Sequence, residues 1–316
     1  MKIAFLEPLG ISSDALKETI NKYISPEEHE IVYYPDRKED EATLIERSKD
    51  ADIVISSNIK YGKNIIEKCP NLKMINVAFT GVDHIDMAYC NERGIDVCNC
   101  SGYSTVAVAD IVFGMAINLG RYINETEKKV RALEGKGNLI GFELEGKTFG
   151  IIGVGEIGKR VAKIADAFGC KVIAYSRTPK DIDYIEFKSF EEVLKESDIL
   201  SIHVPQNSET INLISAKELA MMKSTAILIN TARGPIVNSA DLTEALNNGT
   251  IAAAGVDVFN AEPPLPADEP LLSAPNTLLT PHIAFASHQA FEKRAEIIGA
   301  NLKLWLEGTP QNIMNK

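Results

Sequence analysis

The chain has 316 residues, 45% of them hydrophobic, enough for two domains with cores of their own. A formal net charge of -11 and a pI of about 5.1, with no basic run, argue against a nucleic-acid or anionic-membrane partner. No 18-residue apolar run suggests a membrane span, the short apolar N-terminus reads as a strand rather than a signal peptide, and five cysteines without C-x-x-C fit reduced thiols in a cytoplasmic protein.

Residues 1–100 alternate strands and helices. Apolar runs predict strands at Lys2–Leu6, Glu30–Tyr34, Ala51–Ser56, Lys73–Ala78 and Ile95–Cys98. Helices are predicted at Asp14–Tyr23, Asp40–Ser48, Ile65–Cys69 and Ala88–Arg93, with Pro70 ending the third and Gly94 breaking the fourth. This is a small open α/β sheet in its own right. Phe79-Thr80-Gly81-Val82-Asp83 follows the fourth strand, and ligands of open α/β sheets sit beyond such strand ends. The segment reads either as a glycine turn aiming N–H groups at an anion or as a plain strand-to-helix turn. Cys98 and Cys100 would share a strand face, and without a nearby His or Cys pair they read as packing residues, not metal ligands.

Thr105–Asn118 predicts an Ala- and Val-rich helix, apolar nearly all round, buried in its domain or at a subunit interface. Residues 124–146 are charged and Gly-rich. Thr148–Ile152 then opens a strand, tight turn, helix, strand unit. Gly153, Gly155 and Gly158 make G-x-G-x-x-G. The first glycine permits the turn, the second lets a pyrophosphate approach the backbone, and the third lets the helix pack close to the strand. The helix would point its N-terminal N–H groups at the phosphates. Val161, Ile164, Ala165 and Phe168 would face the sheet, Gly169 would cap the helix, and Lys171–Tyr175 would be the next strand. The whole context makes this a dinucleotide site.

At the end of that next strand an NAD site carries Asp or Glu for the ribose 2′-hydroxyl. Here Ser176 is followed by Arg177 and Thr178. A carboxylate would repel a 2′-phosphate, whereas Arg offers it a planar fork of donors, so the sequence favours NADP over NAD. Four further apolar runs end in polar groups: Ile199–Val204 near His203 and Pro205, Ala226–Asn230 before Thr231 and Arg233, Gly255–Phe259 before Glu262, and Leu278–His282. Arg, Glu and His arriving separately at one sheet edge beside a dinucleotide site are better explained by catalysis than by structure.

At this point the chain resembles the D-isomer-specific 2-hydroxyacid dehydrogenase family over nearly its whole length. The resemblance is carried by Gly153-Val-Gly-Glu-Ile-Gly158, His203-Val-Pro205, Asn230-Thr-Ala-Arg233-Gly234, Asp257-Val-Phe-Asn-Ala-Glu262-Pro263 and Thr280-Pro-His282-Ile-Ala284. It implies an α/β chain of two Rossmann-like domains with parallel sheets. The substrate domain would be discontinuous, 1–100 with 287–316, and the dinucleotide domain would span 101–286. It implies a homodimer built through the cofactor domain, which suits the apolar helix. His282 would be the general acid in reduction, Glu262 would hydrogen-bond it and hold it protonated, and Arg233 would bind the substrate carboxylate and carbonyl. Backbone around Ala78, Phe79, Thr80 and Gly81 would take the carboxylate's other side, and Asp257 would meet the nicotinamide carboxamide. Cofactor contacts would include Thr105, Gly153, Gly155, Glu156, Ile157, Ser176, Arg177, Thr178, His203, Pro205, Thr210 and Thr231. No metal is implied.

Departures from the family's patterns narrow the substrate. Val77 stands where phosphoglycerate dehydrogenases carry Arg, and Glu262 stands where formate dehydrogenases carry Gln, which disfavours both substrates. Phe79 and Phe285 replace commonly small residues and would either shrink the pocket or stack an apolar side chain. Ser176-Arg177-Thr178 resembles the NADP-preferring glyoxylate and hydroxypyruvate reductases. The expected reaction is reduction of a small unphosphorylated 2-oxoacid to a D-2-hydroxy acid, with NADPH preferred and NAD possible. Phosphite oxidation and a nucleotide-sensing, corepressor-like role are the alternatives.

Overall fold

A computed structural model describes residues 1–315 of the chain. It divides into two compact units, Met1–Ser104 with the C-terminal segment from Ala286, and Thr105–Phe285.

The first unit holds β1 (Lys2–Phe5), α1 (Ser13–Asn21), β2 (Glu30–Tyr33), α2 (Glu41–Ser48), β3 (Ile53–Ser56), α3 (Lys63–Ile66), β4 (Met74–Val77), α4 (Met87–Arg93) and β5 (Asp96–Cys98). The strands form one parallel sheet in the order β2-β1-β3-β4-β5. β1, β3 and β4 are short because each must be apolar on both faces: Ile3, Ala4, Val54, Ile55, Ile75 and Val77 are all essentially inaccessible. The C-terminal helix His288–Leu306 packs on α1 and β4, with Ser287 accepting the N–H of Ala290 as its cap. Gly94 ends α4 in the left-handed conformation, as its position after Arg93 predicts. The third helix begins earlier than predicted and stops at Ile66. The N–H groups of Lys68 and Cys69 tighten onto the carbonyls of Ile65 and Ile66, because the residue before Pro70 disfavours the α conformation.

The second unit holds α5 (Thr105–Arg121), α6 (Ile123–Arg131), β6 (Thr148–Ile152), α7 (Glu156–Ala167), β7 (Lys171–Tyr175), β8 (Glu186–Phe187), α8 (Phe190–Glu196), β9 (Ile199–Ile202), α9 (Ala216–Leu219), β10 (Ile227–Asn230), α10 (Ser239–Asn247), β11 (Ala253–Val256) and β12 (Thr277–Leu279). Its sheet is also parallel, ordered β12-β11-β10-β9-β6-β7-β8. Strand order reverses at β6, which is where an open α/β sheet leaves a crevice for a ligand.

In the charged, Gly-rich residues 124–146, α6 occupies the first part. It buries no residue and therefore carries no apolar stripe to be read; its Glu127–Arg131 ion pair lies one turn apart on the surface. Phe168 does not face the sheet. α7 has already ended there, and the ring is 43% exposed, stacked on Phe113 at 5.3 Å between centroids. Val161 and Ala165 are buried as predicted and Ile164 is partly so. No single helix among the described residues is long and apolar enough to cross a membrane.

Candidate active site

The glycine turn after β6 has the physical form that its spacing predicts. Gly153 lies at φ 96°, and a Cβ there would meet the His203 carbonyl oxygen at 2.5 Å. A Cβ at Gly158 would fall on the carbonyl oxygen of Gly153, so α7 can approach β6 only with glycine at that position. At Gly155 a Cβ would meet nothing within 4 Å. Gly155 caps α7 without any side-chain hydrogen bond, so no capping side chain takes the first N–H groups of the helix. An open, positively polarised helix end with no capping side chain fits a dinucleotide pyrophosphate. Glu156 is turned onto Lys159 at 3.0 Å, and Ile157 is half-buried beside it.

The other expected cofactor residues follow neighbouring strand ends of the same sheet. Ser176 is half-buried after β7, and Arg177 and Thr178 are exposed. Arg177 Nη1 donates to Glu209 Oε2 at 2.8 Å, so the arginine that was expected to meet a phosphate is already faced by a carboxylate. After β9, Ser201 Oγ and His203 Nε2 lie 2.9 Å apart. Burial pushes the His203 imidazole down to about 3, so it stays neutral. Thr210 Oγ1 donates to the Pro205 carbonyl at 2.7 Å and accepts the Asn207 N–H at 2.8 Å, closing the 205–210 loop. Thr231, after β10, is buried, and its hydroxyl has no protein partner, as a hydroxyl reserved for a ligand would be. Thr105 opens α5 half-buried.

Three adjacent strands then deliver Arg233, Glu262 and His282. Arg233 follows β10. Asn230 pins its loop, donating to the Arg233 carbonyl at 2.9 Å and accepting the Ala232 N–H at 3.1 Å, while Arg233 Nη1 donates to the Ala232 carbonyl at 2.8 Å. Glu262 follows β11, and His282 follows β12. His282 Nδ1 lies 2.8 Å from Glu262 Oε2 and 3.0 Å from Oε1, with the imidazole only 10% exposed. Phe285 meets the His282 ring edge-on, 5.2 Å between centroids. His282 itself is held at φ 55°, a left-handed conformation that costs a non-glycine residue about 1–3 kcal/mol.

Asp257 follows β11. It is wholly buried, and its carboxylate accepts Thr280 Oγ1 at 2.5 Å, the Ile283 N–H at 2.8 Å and the Ala284 N–H at 2.8 Å. Burial works to push this carboxyl up, against those donors and the nearby His282.

In the first unit, Ala78, Phe79, Thr80 and Gly81 follow β4. Three successive carbonyls are tied from within that unit. Arg294 Nη1 holds Ala78 at 3.2 Å, the Cys100 N–H holds Phe79 at 2.9 Å, and Asn99 Nδ2 holds Thr80 at 2.7 Å. Phe79 is buried, tilted against Tyr103 at 6.0 Å.

Sequence reading missed several supporting residues: Arg294, buried on the C-terminal helix; Asn99; Glu209; and Thr280 as the partner of Asp257. Each acts on a residue 19 or more positions away, so no local spacing marks it.

Comparison with known proteins agrees with this geometry. A sequence profile described as D-isomer specific 2-hydroxyacid dehydrogenase, NAD binding domain, matches residues 113–284. A glyoxylate reductase of Thermococcus litoralis is 41% identical over 287 residues, 86% of each chain. A hydroxypyruvate reductase of Blautia hydrogenotrophica is 35% identical over 298 residues, 90% of this chain and 92% of its own. The solved structure of an acyclic imino acid reductase with NADPH and D-Arg superposes with a TM-score of 0.91 at 32% identity, covering 99% of this chain and 100% of that one. With two parallel Rossmann-like sheets, a glycine cradle and this similarity across nearly its full length, the chain belongs to the D-isomer specific 2-hydroxyacid dehydrogenase family and is an NAD(P)-dependent 2-hydroxyacid dehydrogenase.

Proposed function

We propose that this enzyme reduces a small unphosphorylated 2-oxoacid, of the size of glyoxylate, hydroxypyruvate or pyruvate, to the D-2-hydroxy acid, and prefers NADPH. The observation that carries the reading is the Glu262–His282 pair, placed by strands next to the one that delivers Arg233. Glu262 fixes the imidazole through Nδ1 and leaves Nε2 to protonate the carbonyl oxygen. Arg233 holds the substrate carboxylate and polarises the carbonyl. A bound NAD(P)H supplies the hydride. Arg177 takes the 2′-phosphate in exchange for Glu209. The glyoxylate and hydroxypyruvate reductases among the relatives support the substrate class, and the NADPH complex of the imino acid reductase supports the cofactor.

The proposal extends to a homodimer. Val130, Leu133 and Ile140 are 69%, 96% and 78% exposed in the stretch after α5, more apolar surface than a lone subunit would leave there. Five free, buried cysteines fit a reducing cytoplasm.

One experiment tests the core of this. Nicotinamide oxidation is followed with NADPH and NADH in parallel against glyoxylate, hydroxypyruvate, pyruvate and phenylpyruvate, for the wild type and Arg177→Ala. We expect turnover of a small 2-oxoacid, and an NADPH KM about tenfold higher in the variant with the NADH KM unchanged. Equal changes for both cofactors would remove the phosphate contact. Tight NADPH binding without turnover of any oxoacid would turn the reading toward phosphite or a nucleotide sensor.

A further inference from the structure

We propose that Glu209 sets the balance between NADPH and NADH: from the loop after β9 it supplies the carboxylate that the end of β7 lacks. The inference rests on the reading of Arg177 as the 2′-phosphate ligand and deepens it.

β6 lies between β7 and β9 in the sheet, so the segments leaving those two strands flank the glycine turn. Both are tied to it. The Gly153 N–H donates to the Tyr175 carbonyl at 2.9 Å, two residues before Arg177. The His203 N–H donates to the Ile152 carbonyl at 2.7 Å, and a Cβ on Gly153 would meet the His203 carbonyl oxygen at 2.5 Å. Beyond His203 the loop closes on itself. Thr210 Oγ1 donates to the Pro205 carbonyl and accepts the Asn207 N–H, while Asn207 Oδ1 accepts the Glu209 N–H at 2.9 Å. Glu209 therefore stands on a turn held at three points, and from there its Oε2 accepts Arg177 Nη1 at 2.8 Å.

In open α/β sheets of this kind an acid at the end of the second strand accepts the ribose 2′-hydroxyl of NAD. Ser176, Arg177 and Thr178 hold no acid. Glu209 reaches the same strand end from the side. A carboxylate has about four acceptor positions, and Arg177 takes one of them, which leaves acceptors for a ribose hydroxyl. A 2′-phosphate instead brings negative charge to that place and must separate Arg177 from Glu209 against repulsion. One carboxylate thus assists NADH and opposes NADPH, while Arg177 does the reverse. The two side chains are 73% and 69% exposed, so their pairing adds little to the fold and both are open to a ligand.

The test is direct binding, without turnover. NADPH and NADH are titrated by fluorescence. Adenosine 2′,5′-bisphosphate and adenosine 5′-monophosphate, which carry the same ribose with and without the 2′-phosphate, are titrated by calorimetry. The proteins are the wild type, Glu209→Gln, Glu209→Ala and Arg177→Ala. In Glu209→Gln we expect the Kd of NADPH and of the bisphosphate to fall about fivefold, and that of NADH and of the monophosphate to rise about twofold. The NADPH-to-NADH preference then moves by about tenfold, and by less in high salt. Glu209→Ala should follow Glu209→Gln, since both remove the charge, and Tm should stay near the wild type in each. A preference within about twofold of the wild type in both Glu209 variants would overturn the proposal and leave a surface ion pair. A preference that moves toward NADH would overturn it too, making Glu209 an orienter of Arg177 for the phosphate. The underlying reading fails separately: Arg177→Ala that weakens NADPH and NADH alike would remove the phosphate contact. The Glu209 variants would then decide alone whether the carboxylate selects between the cofactors.

Discussion

The two units solve the same folding problem in the same way and then use it differently. In the first, Asp52 stands one residue before β3. It accepts the Lys2 N–H that opens β1 at 2.9 Å and pairs with Lys73 at 2.7 Å. In the second, Asp198 stands one residue before β9. It accepts the Thr148 N–H that opens β6 at 2.8 Å and pairs with Lys223 at 2.8 Å. Each aspartate clamps the amino ends of the central parallel strands. At the carboxyl ends the likeness stops. After β6 the chain leaves open backbone around Gly155. After β1 it places Glu7, 2% exposed, whose carboxylate takes Ser56 Oγ at 3.1 Å, the Ser57 N–H and hydroxyl at 2.7 Å, and Arg37. The first unit thus has a buried, hydrogen-bonded carboxylate beyond its β1, where the second has a glycine turn beyond β6. A shared topology does not by itself give both units the same site.

The largest effect that would sharpen this contrast is at the chemistry. His282→Ala should lower kcat for reduction by about 10²–10⁴-fold while NAD(P)H titration stays near the wild type. Near-normal turnover in the alanine variant would remove chemistry from this strand end.

Next come the glycines. Gly158→Ala sets a Cβ against the Gly153 carbonyl, which cannot move aside, and should cost about 1–3 kcal/mol and raise the cofactor KM. Gly10→Ala, at φ 78°, meets only the Phe291 ring at 2.8 Å, and that ring can turn. It should cost about 1–2 kcal/mol of stability and leave the cofactor KM alone. Matching KM effects from both would erase the difference between the units.

The two aspartate clamps should behave alike, since their carboxylates are 19% and 22% exposed. Burial works to raise both carboxyls, but the lysine and main-chain N–H outweigh it and hold each below the ordinary 3.8. The stability that they add is therefore complete above that unfolded-state value and is lost as pH falls through the lower folded-state one. Asp52→Asn and Asp198→Asn should each cost about 1–2 kcal/mol near neutral pH. Their Tm gap to the wild type should close in acid, as pH falls through the lowered folded-state values. A gap that persists there would mean that packing, not charge, is responsible.

The smallest effects concern one aromatic ring from each unit. Phe79→Ala and Phe285→Ala should each reorder 2-oxoacid preference by roughly tenfold while the cofactor KM moves less. An unchanged ranking would place both rings away from the substrate.

Much of this molecule was legible along the chain. The parallel strands announce themselves as four- and five-residue apolar runs, because a strand buried on both faces admits little else. Gly153, Gly155 and Gly158 need only their mutual spacing and the flanking strand and helix to be read. Helix α6 escaped because it buries nothing, and Phe168 misled because apolar periodicity does not show where a helix stops. By itself, the sequence determined the fold class, the dinucleotide cradle and the candidate chemistry at Arg233, Glu262 and His282, since all of these depend on local patterns or on strand ends. Only the tertiary structure decided what Asp257, Arg177 and Arg294 touch. Their partners are Thr280 and two backbone amides beyond β12, Glu209, and two main-chain carbonyls that include Ala78. A hydrogen bond to a distant main-chain group leaves no pattern in the order of side chains.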